Sequence, residues 1–225
     1  MKGALTVLFA TTNPHKVREL RSVFEPLGIF VRSLDSLSTV PPEPDEDADT
    51  FAGNARLKAI AYAQATGIAC LAEDSGLEVD AIGGAPGVYS ARYAGVSGTR
   101  DERDRANNEK LLRALVGIPS MRRTARFVCA MCLVSPEGHV LAESAGTYEG
   151  LIAEAPKGEN GFGYDPLLYL PDVGRTSAEL SEKEKSDRSH RGKAARLLAR
   201  ELVSQGAALQ ALLASVPTAA KVLAS

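Results

Sequence analysis

The chain has 225 residues, 44% of them hydrophobic and 24% charged, which is enough apolar material to bury a core in one large domain or two small lobes and excludes a disordered chain. A formal net charge of −2 and a pI near 6.0 argue against a general binder of nucleic acid or of an anionic membrane, since both roles need a basic excess. No apolar run reaches the ~18 residues of a spanning helix. The apolar stretch ALTVLFA passes into TTNPHK without a cleavage pattern, so a cytoplasmic location is expected.

In chain order, Leu5 to Ala10 is predicted as a short strand. NPHKVRELRSVFEPLG then places Val17, Leu20, Val23, Phe24 and Leu27 at helical spacing, with Pro14 in the first turn and Gly28 at the end. IFVRSLDSL reads as a second strand, and the proline-rich, acidic STVPPEPDEDADT as an exposed loop. An alanine-rich helix from Thr50 to Thr66 closes at Gly67, and the strand IACLA is expected to end where Glu73 and Asp74 begin. A glycine-rich segment follows, then a polar helix over about 101–116.

Two β-rich runs around SPEGH predict a hairpin, and the loop APKGENGFGYDP leads into the apolar LLYLP. The chain closes with a helix from about Ser189, and the alanine-rich residues 201–225 are read as its helical extension, with fraying as the alternative. With no repeat, linker or break, residues 1–225 read as a single α/β domain with a mixed sheet. Three cysteines cannot all pair. Cys129 and Cys132 form a C-x-x-C, but inside a strand they point to opposite faces, with no second cysteine pair or histidine cluster near them to complete a zinc site.

Five places carry candidate chemistry. In TTNPHK, residues Thr11, Thr12, Asn13, Pro14, His15 and Lys16 join a strand to a helix. Its free N–H groups and positive dipole end suit an anion, while Thr12 or Asn13 alone would serve as a cap. The turn is neither a P-loop nor a dinucleotide fingerprint. Glu46, Lys58, Glu73 and Asp74 supply acids and a base, and Mg²⁺ needs only one or two carboxylates beside substrate phosphates. Adjacent strand residues face opposite ways, and Asp74, followed by Ser75 and Gly76, is the one favoured for the site. Phe162 and Tyr164 stand among glycines in ENGFGYDP, suited to stack on a planar base. Lys185, Arg188, His190, Arg191 and Lys193 gather within nine residues, a density that matches a triphosphate and a polar base edge.

The ordered set TTNPHKVREL, TF..NARLKA, EDSGLEVDAIGGAPGVYSARYAG, GFGYDP and SHRGKA resembles the non-standard purine nucleoside triphosphate pyrophosphatases, the inosine triphosphatase family, over roughly residues 5–200. The resemblance implies a Mg²⁺-dependent homodimer with an elongated mixed sheet flanked by helices and two lobes around a central nucleotide cleft. It implies hydrolysis of ITP, dITP and XTP to the monophosphate and pyrophosphate, with no stable nucleic-acid partner. By the same resemblance residues 11–16 bind the triphosphate, Glu46 and Asp74 serve the metal, Asp74 is the general base, and Ser75 and Lys58 touch substrate. Phe162, Gly163, Tyr164 and Asp165 enclose the base, and Lys185, His190 and Arg191 complete the site. Two positions depart from the family pattern. Gly53 stands where many relatives have a glutamate, and the acidic loop reads Glu46-Asp47-Ala48, with Glu43 the nearest competitor of Glu46. A hydrolase of modified pyrimidine nucleotides and a nucleotide-binding module without turnover are the other readings.

Overall fold

A computed structural model describes residues 5–206, so the expected extension over 201–225 lies mostly outside the described residues. Among the described residues a mixed seven-stranded sheet has the order β2-β1-β3-β4-β5-β6-β7, with strands β1 (Leu5–Phe9), β2 (Ile29–Ser33), β3 (Cys70–Val79), β4 (Thr124–Val134), β5 (Val140–Ile152), β6 (Leu168–Leu170) and β7 (Arg175–Thr176). The helices are α1 (Pro14–Phe24), α2 (Phe51–Thr66), α3 (Arg100–Ala114), α4 (Glu182–Arg188) and α5 (His190–Ser204). The described residues divide into two compact units, one of residues 5–74, 130–145 and 191–206, the other of 75–129 and 146–190. Each is assembled from separated segments, which is why no linker marks either in the sequence.

In the first unit β1 pairs in parallel with β2, Leu5 opposite Ile29 through Phe9 opposite Ser33, and with β3 at Leu8 and Phe9. The crossover between β1 and β2 is α1. Asn13 caps it by accepting the His15 N–H, Pro14 sets its first turn, and Val17, Leu20 and Phe24 form its buried stripe. Thr50 caps α2 through the Gly53 N–H, and the helix stops at Gly67, whose φ of 65° is left-handed. Along α2 the buried positions are Phe51, Asn54, Ala55, Lys58, Ala59, Tyr62 and Ala63, a stripe of helical period that carries two polar side chains.

The second unit has its own core of Leu77, Val79, Leu111, Leu115, Phe127, Tyr148, Leu167, Leu168 and their neighbours. There β6 pairs antiparallel with β5 and with β7. The expected hairpin is present: the Ser135 N–H donates to the His139 carbonyl at 2.8 Å between β4 and β5.

Three expectations change. Strand β3 does not end at Asp74 but runs on to Val79, so both carboxylates sit inside a strand. The C-terminal basic run begins earlier, with α4 started by a Ser181–Glu184 capping box, and extended backbone at Ser189 separates it from α5. Cys129 and Cys132 are both buried although they are three apart, because β4 is covered on both faces from Cys129 to Val134. Burial pushes the Cys132 thiol up to about 12, so it is held as a thiol, and among the described residues no group of three or more metal-ligating side chains is gathered.

Candidate functional site

Within the first unit, the N-terminal turn, α2 and β3 bring one set of predicted residues together. Alternation along β3 separates the two acids: Glu73 is 2% exposed, while Asp74 is only half-buried. Asp74 Oδ2 accepts a hydrogen bond of 3.0 Å from Asn54 Nδ2, and the same amide's Oδ1 accepts the Ala48 N–H at 2.9 Å. One buried side chain therefore ties the acidic loop to the strand carboxylate. Lys58 Nζ pairs with Glu46 at 2.6 Å and donates to the Glu73 carbonyl at 3.3 Å, so α2 also anchors the predicted acid of the loop.

Burial raises the Asp74 pKa above the usual aspartate value. The Asn54 hydrogen bond and the Lys58 charge oppose this, and the Glu46 charge adds to it. Two carboxylates whose charges repel offer oxygen donors of the kind Mg²⁺ uses when substrate supplies further oxygens, so the residues present fit that ion. Of the two competing loop acids, Glu46 is the one whose charge raises Asp74. Gly53 packs against this loop: a Cβ there would lie 2.7 Å from Ala48 Cβ, so a side chain at this position requires the loop to shift.

Lys16 reaches the same strand from α1, with Nζ 3.0 Å from Glu73 Oε1. Arg191 meets that carboxylate as well, Nε at 2.8 Å from Oε2 and Nη2 at 2.9 Å from Oε1, while its Nη1 lies 2.6 Å from Glu19 Oε2. Burial alone would raise Glu73. Arg191 and then Lys16 outweigh it and hold the acid well below the carboxylate range. In the turn itself Asn13 acts as cap, its own N–H donating to Thr11 Oγ1, and His15 Nδ1 stands 2.9 Å from Arg18 Nη2.

The remaining predicted residues lie in the second unit. Asp165 and Lys185 form a buried pair at 2.6 Å. Asp165 Oδ1 accepts the Ser177 hydroxyl, and its Oδ2 also accepts the Phe162 N–H at 2.8 Å. Gly161, with φ 80°, allows this close wrap, for a Cβ there would collide with Asp165 Oδ2. Tyr164 is a core residue whose hydroxyl donates to the Ser90 carbonyl. Phe162 is half-buried with Lys185 Nζ 4.9 Å from its ring centroid. His190 stacks on Phe127, centroids 4.9 Å apart, and Ser75 opens this unit directly after Asp74.

Arg191 and Lys185, grouped in the sequence by one basic run, thus take different partners. The break at Ser189 sends Lys185 to Asp165 and Arg191 to Glu73. Arg191 is 1% exposed and ion-paired with Glu73 and Glu19. Asn54 is not among the residues that the sequence singles out. Its signal was position: it lies four residues before Lys58 on a stripe otherwise filled by Phe, Ala and Tyr.

A mixed sheet carrying a buried acid, two lysines and an acidic loop around one strand is the frame of an α/β protein with a charged site. The model of the Ham1 family matches residues 7–201, and the chain belongs to that family. A dITP/XTP pyrophosphatase from Exiguobacterium sp. (strain ATCC BAA-1283 / AT1b) is 51% identical over 199 residues, covering 88% of this chain and 97% of that protein. One from Thermus thermophilus is 48% identical over 198 residues, covering 88% and 92%. Among solved structures, a HAM1 protein from Coxiella burnetii matches with a TM-score of 0.79 at 38% identity, covering 89% of this chain and 99% of that one.

Proposed function

We propose that this protein hydrolyses non-standard purine nucleoside triphosphates, dITP, XTP and ITP, to the monophosphate and pyrophosphate. The names of relatives about half identical over most of the chain support the substrate class. The observation that carries the chemistry is the Asp74 carboxylate, raised by burial and flanked by Glu46, Lys58 and Lys16. Glu46 and Asp74 would hold Mg²⁺, which when bound supplies charge neutralisation for the phosphates. Asp74 takes the proton of the water that attacks the α-phosphorus. The bond from that phosphorus to the bridging oxygen breaks, and the electron pair leaves with pyrophosphate. Lys16 and Lys58 offset the charge that grows on the departing group.

In the second unit we assign base recognition to Phe162, an aromatic ring of the kind that stacks on a planar base, with Asp165 and Lys185 holding its loop. We further propose a cytoplasmic homodimer without a stable nucleic-acid partner. The test is incubation with dITP, XTP, ITP, the common triphosphates and modified pyrimidine triphosphates in Mg²⁺, with separate assays for pyrophosphate and orthophosphate. Pyrophosphate from the 6-oxo purine analogues at rates far above ATP is the expected result. Orthophosphate release, binding without turnover, or preference for a pyrimidine overturns the reading.

A further inference from the structure

We propose that one face of helix α3, formed by Arg100, Asp104 and Asn108, is a specificity-determining bracket that presets the Phe162 ring for a purine. This rests on the assignment of Phe162 to the base. The three residues are spaced by four, so they stand one above the other on one side of the helix. Arg100 lies over the Phe162 ring at 4.6 Å from its centroid. Asp104 Oδ2 accepts the Gly163 N–H at 2.9 Å, and Asn108 Nδ2 donates to the Gly163 carbonyl at 3.0 Å. Both backbone polar groups of the residue after Phe162 therefore end on one helix.

The arrangement is more than ordinary loop packing. Gly163 has φ 63° and no side chain, so nothing of its own fixes its place in the loop. From the other side Asp165 holds the Phe162 N–H, so the ring is carried by a peptide pinned at both ends. The neighbouring residue of α3, Asn107, holds a second segment: its Oδ1 accepts the Ala94 N–H at 2.7 Å, and its Nδ2 donates to the Ser90 and Ala91 carbonyls. A helix whose sequence, RDERDRANN, reads as merely polar is a rigid bar to which both the glycine-rich segment and the aromatic loop are fastened. Pinning a stacking ring before the ligand arrives removes an ordering cost from binding, so its loss falls on KM rather than on the chemical step.

The chain contains no tryptophan, so Phe162→Trp gives a single fluorescent reporter in the loop. In that background Asp104→Ala and Asn108→Ala are expected to raise acrylamide quenching and to weaken inosine monophosphate binding about tenfold each. Inhibition by inorganic tripolyphosphate, which has no base, stays unchanged. Asp104→Asn, whose Oδ1 still accepts the Gly163 N–H, keeps most of the affinity. With Phe162 in place, Asp104→Ala raises KM for dITP while kcat changes less than about twofold. Unchanged monophosphate affinity in both alanine variants, or an equal loss with tripolyphosphate, overturns the bracket. If the monophosphate binds but leaves the emission and quenching of the introduced indole unaltered, it is the assignment of Phe162 to the base that fails. Increased quenching by acrylamide in the alanine variants would still show that α3 holds the loop.

Discussion

Arg191 grips Glu73 through Nε and Nη2 at 2.8 to 3.0 Å, and each side chain is 1% exposed. A charge so placed is stable only while its partner stays. Glu73→Gln leaves the buried guanidinium with Glu19 as its remaining carboxylate and is expected to lower stability at neutral pH by about 2–3 kcal/mol. The Glu73 pKa is depressed in the folded state, so its contribution is complete above the ordinary glutamate value of 4.5 and is lost as the pH falls below it. Urea melts of both proteins between pH 7 and pH 3 check this. The gap between them should narrow on the acid side, and a gap that stays constant would mean that the charge of Glu73 contributes nothing.

Asp74→Asn keeps shape and hydrogen-bonding size but cannot take a proton. Turnover is expected to drop roughly a hundredfold or more, the scale of general base catalysis, with the loss in kcat. Isothermal titration with ITP should still show binding. A variant that keeps most of its kcat removes Asp74 from the reaction.

Asn54→Ala deletes both hydrogen bonds of the amide that joins Ala48 to Asp74. The expected result is a stability loss of about 1–3 kcal/mol, as for other buried polar groups left without partners. The acidic loop should also become more open to a glutamate-specific protease cutting after Glu46. Wild-type cleavage rates in the variant would show that the loop is held by Lys58 and Glu46 alone.

Lys16→Ala removes the ammonium that α1 brings to β3. If that ammonium meets the triphosphate, competition assays will show affinity for ITP falling far more than affinity for inosine monophosphate. Equal losses for the two ligands place Lys16 in the ion network around Glu73 and not in binding.

The helices and the hairpin were legible because their signals are local: Pro14 and Asn13 at one helix start, Thr50 and Gly67 around α2, and the Ser135 to His139 turn. The length of β3 was hidden because Ser75 and Gly76 read as the mouth of a loop, whereas both lie inside the strand, which has β4 beside it in the sheet. In the candidate site, the separation of Glu73 from Asp74 followed from strand alternation alone. The partners of Arg191 did not, since Glu73 and Glu19 are remote in sequence and only the fold sets them beside it. Asn54 and the α3 asparagines were overlooked for a related reason. A polar residue in a helix looks solvated until the element it faces is known.

The pairing of Glu73 with Arg191 spans 118 positions of the chain. A protein made from its N-terminus therefore has β1, α1, α2 and the start of β3 in hand long before the cation that neutralises the acid at their centre. During that interval the carboxylate has Lys16 but not its arginine, and closing the first unit over it would strand a charge. The last segment of that unit, which begins at Arg191, is made only after all of the second has been synthesised. On the ribosome, the order of maturation is thus the reverse of the order of synthesis: the unit begun first is completed last.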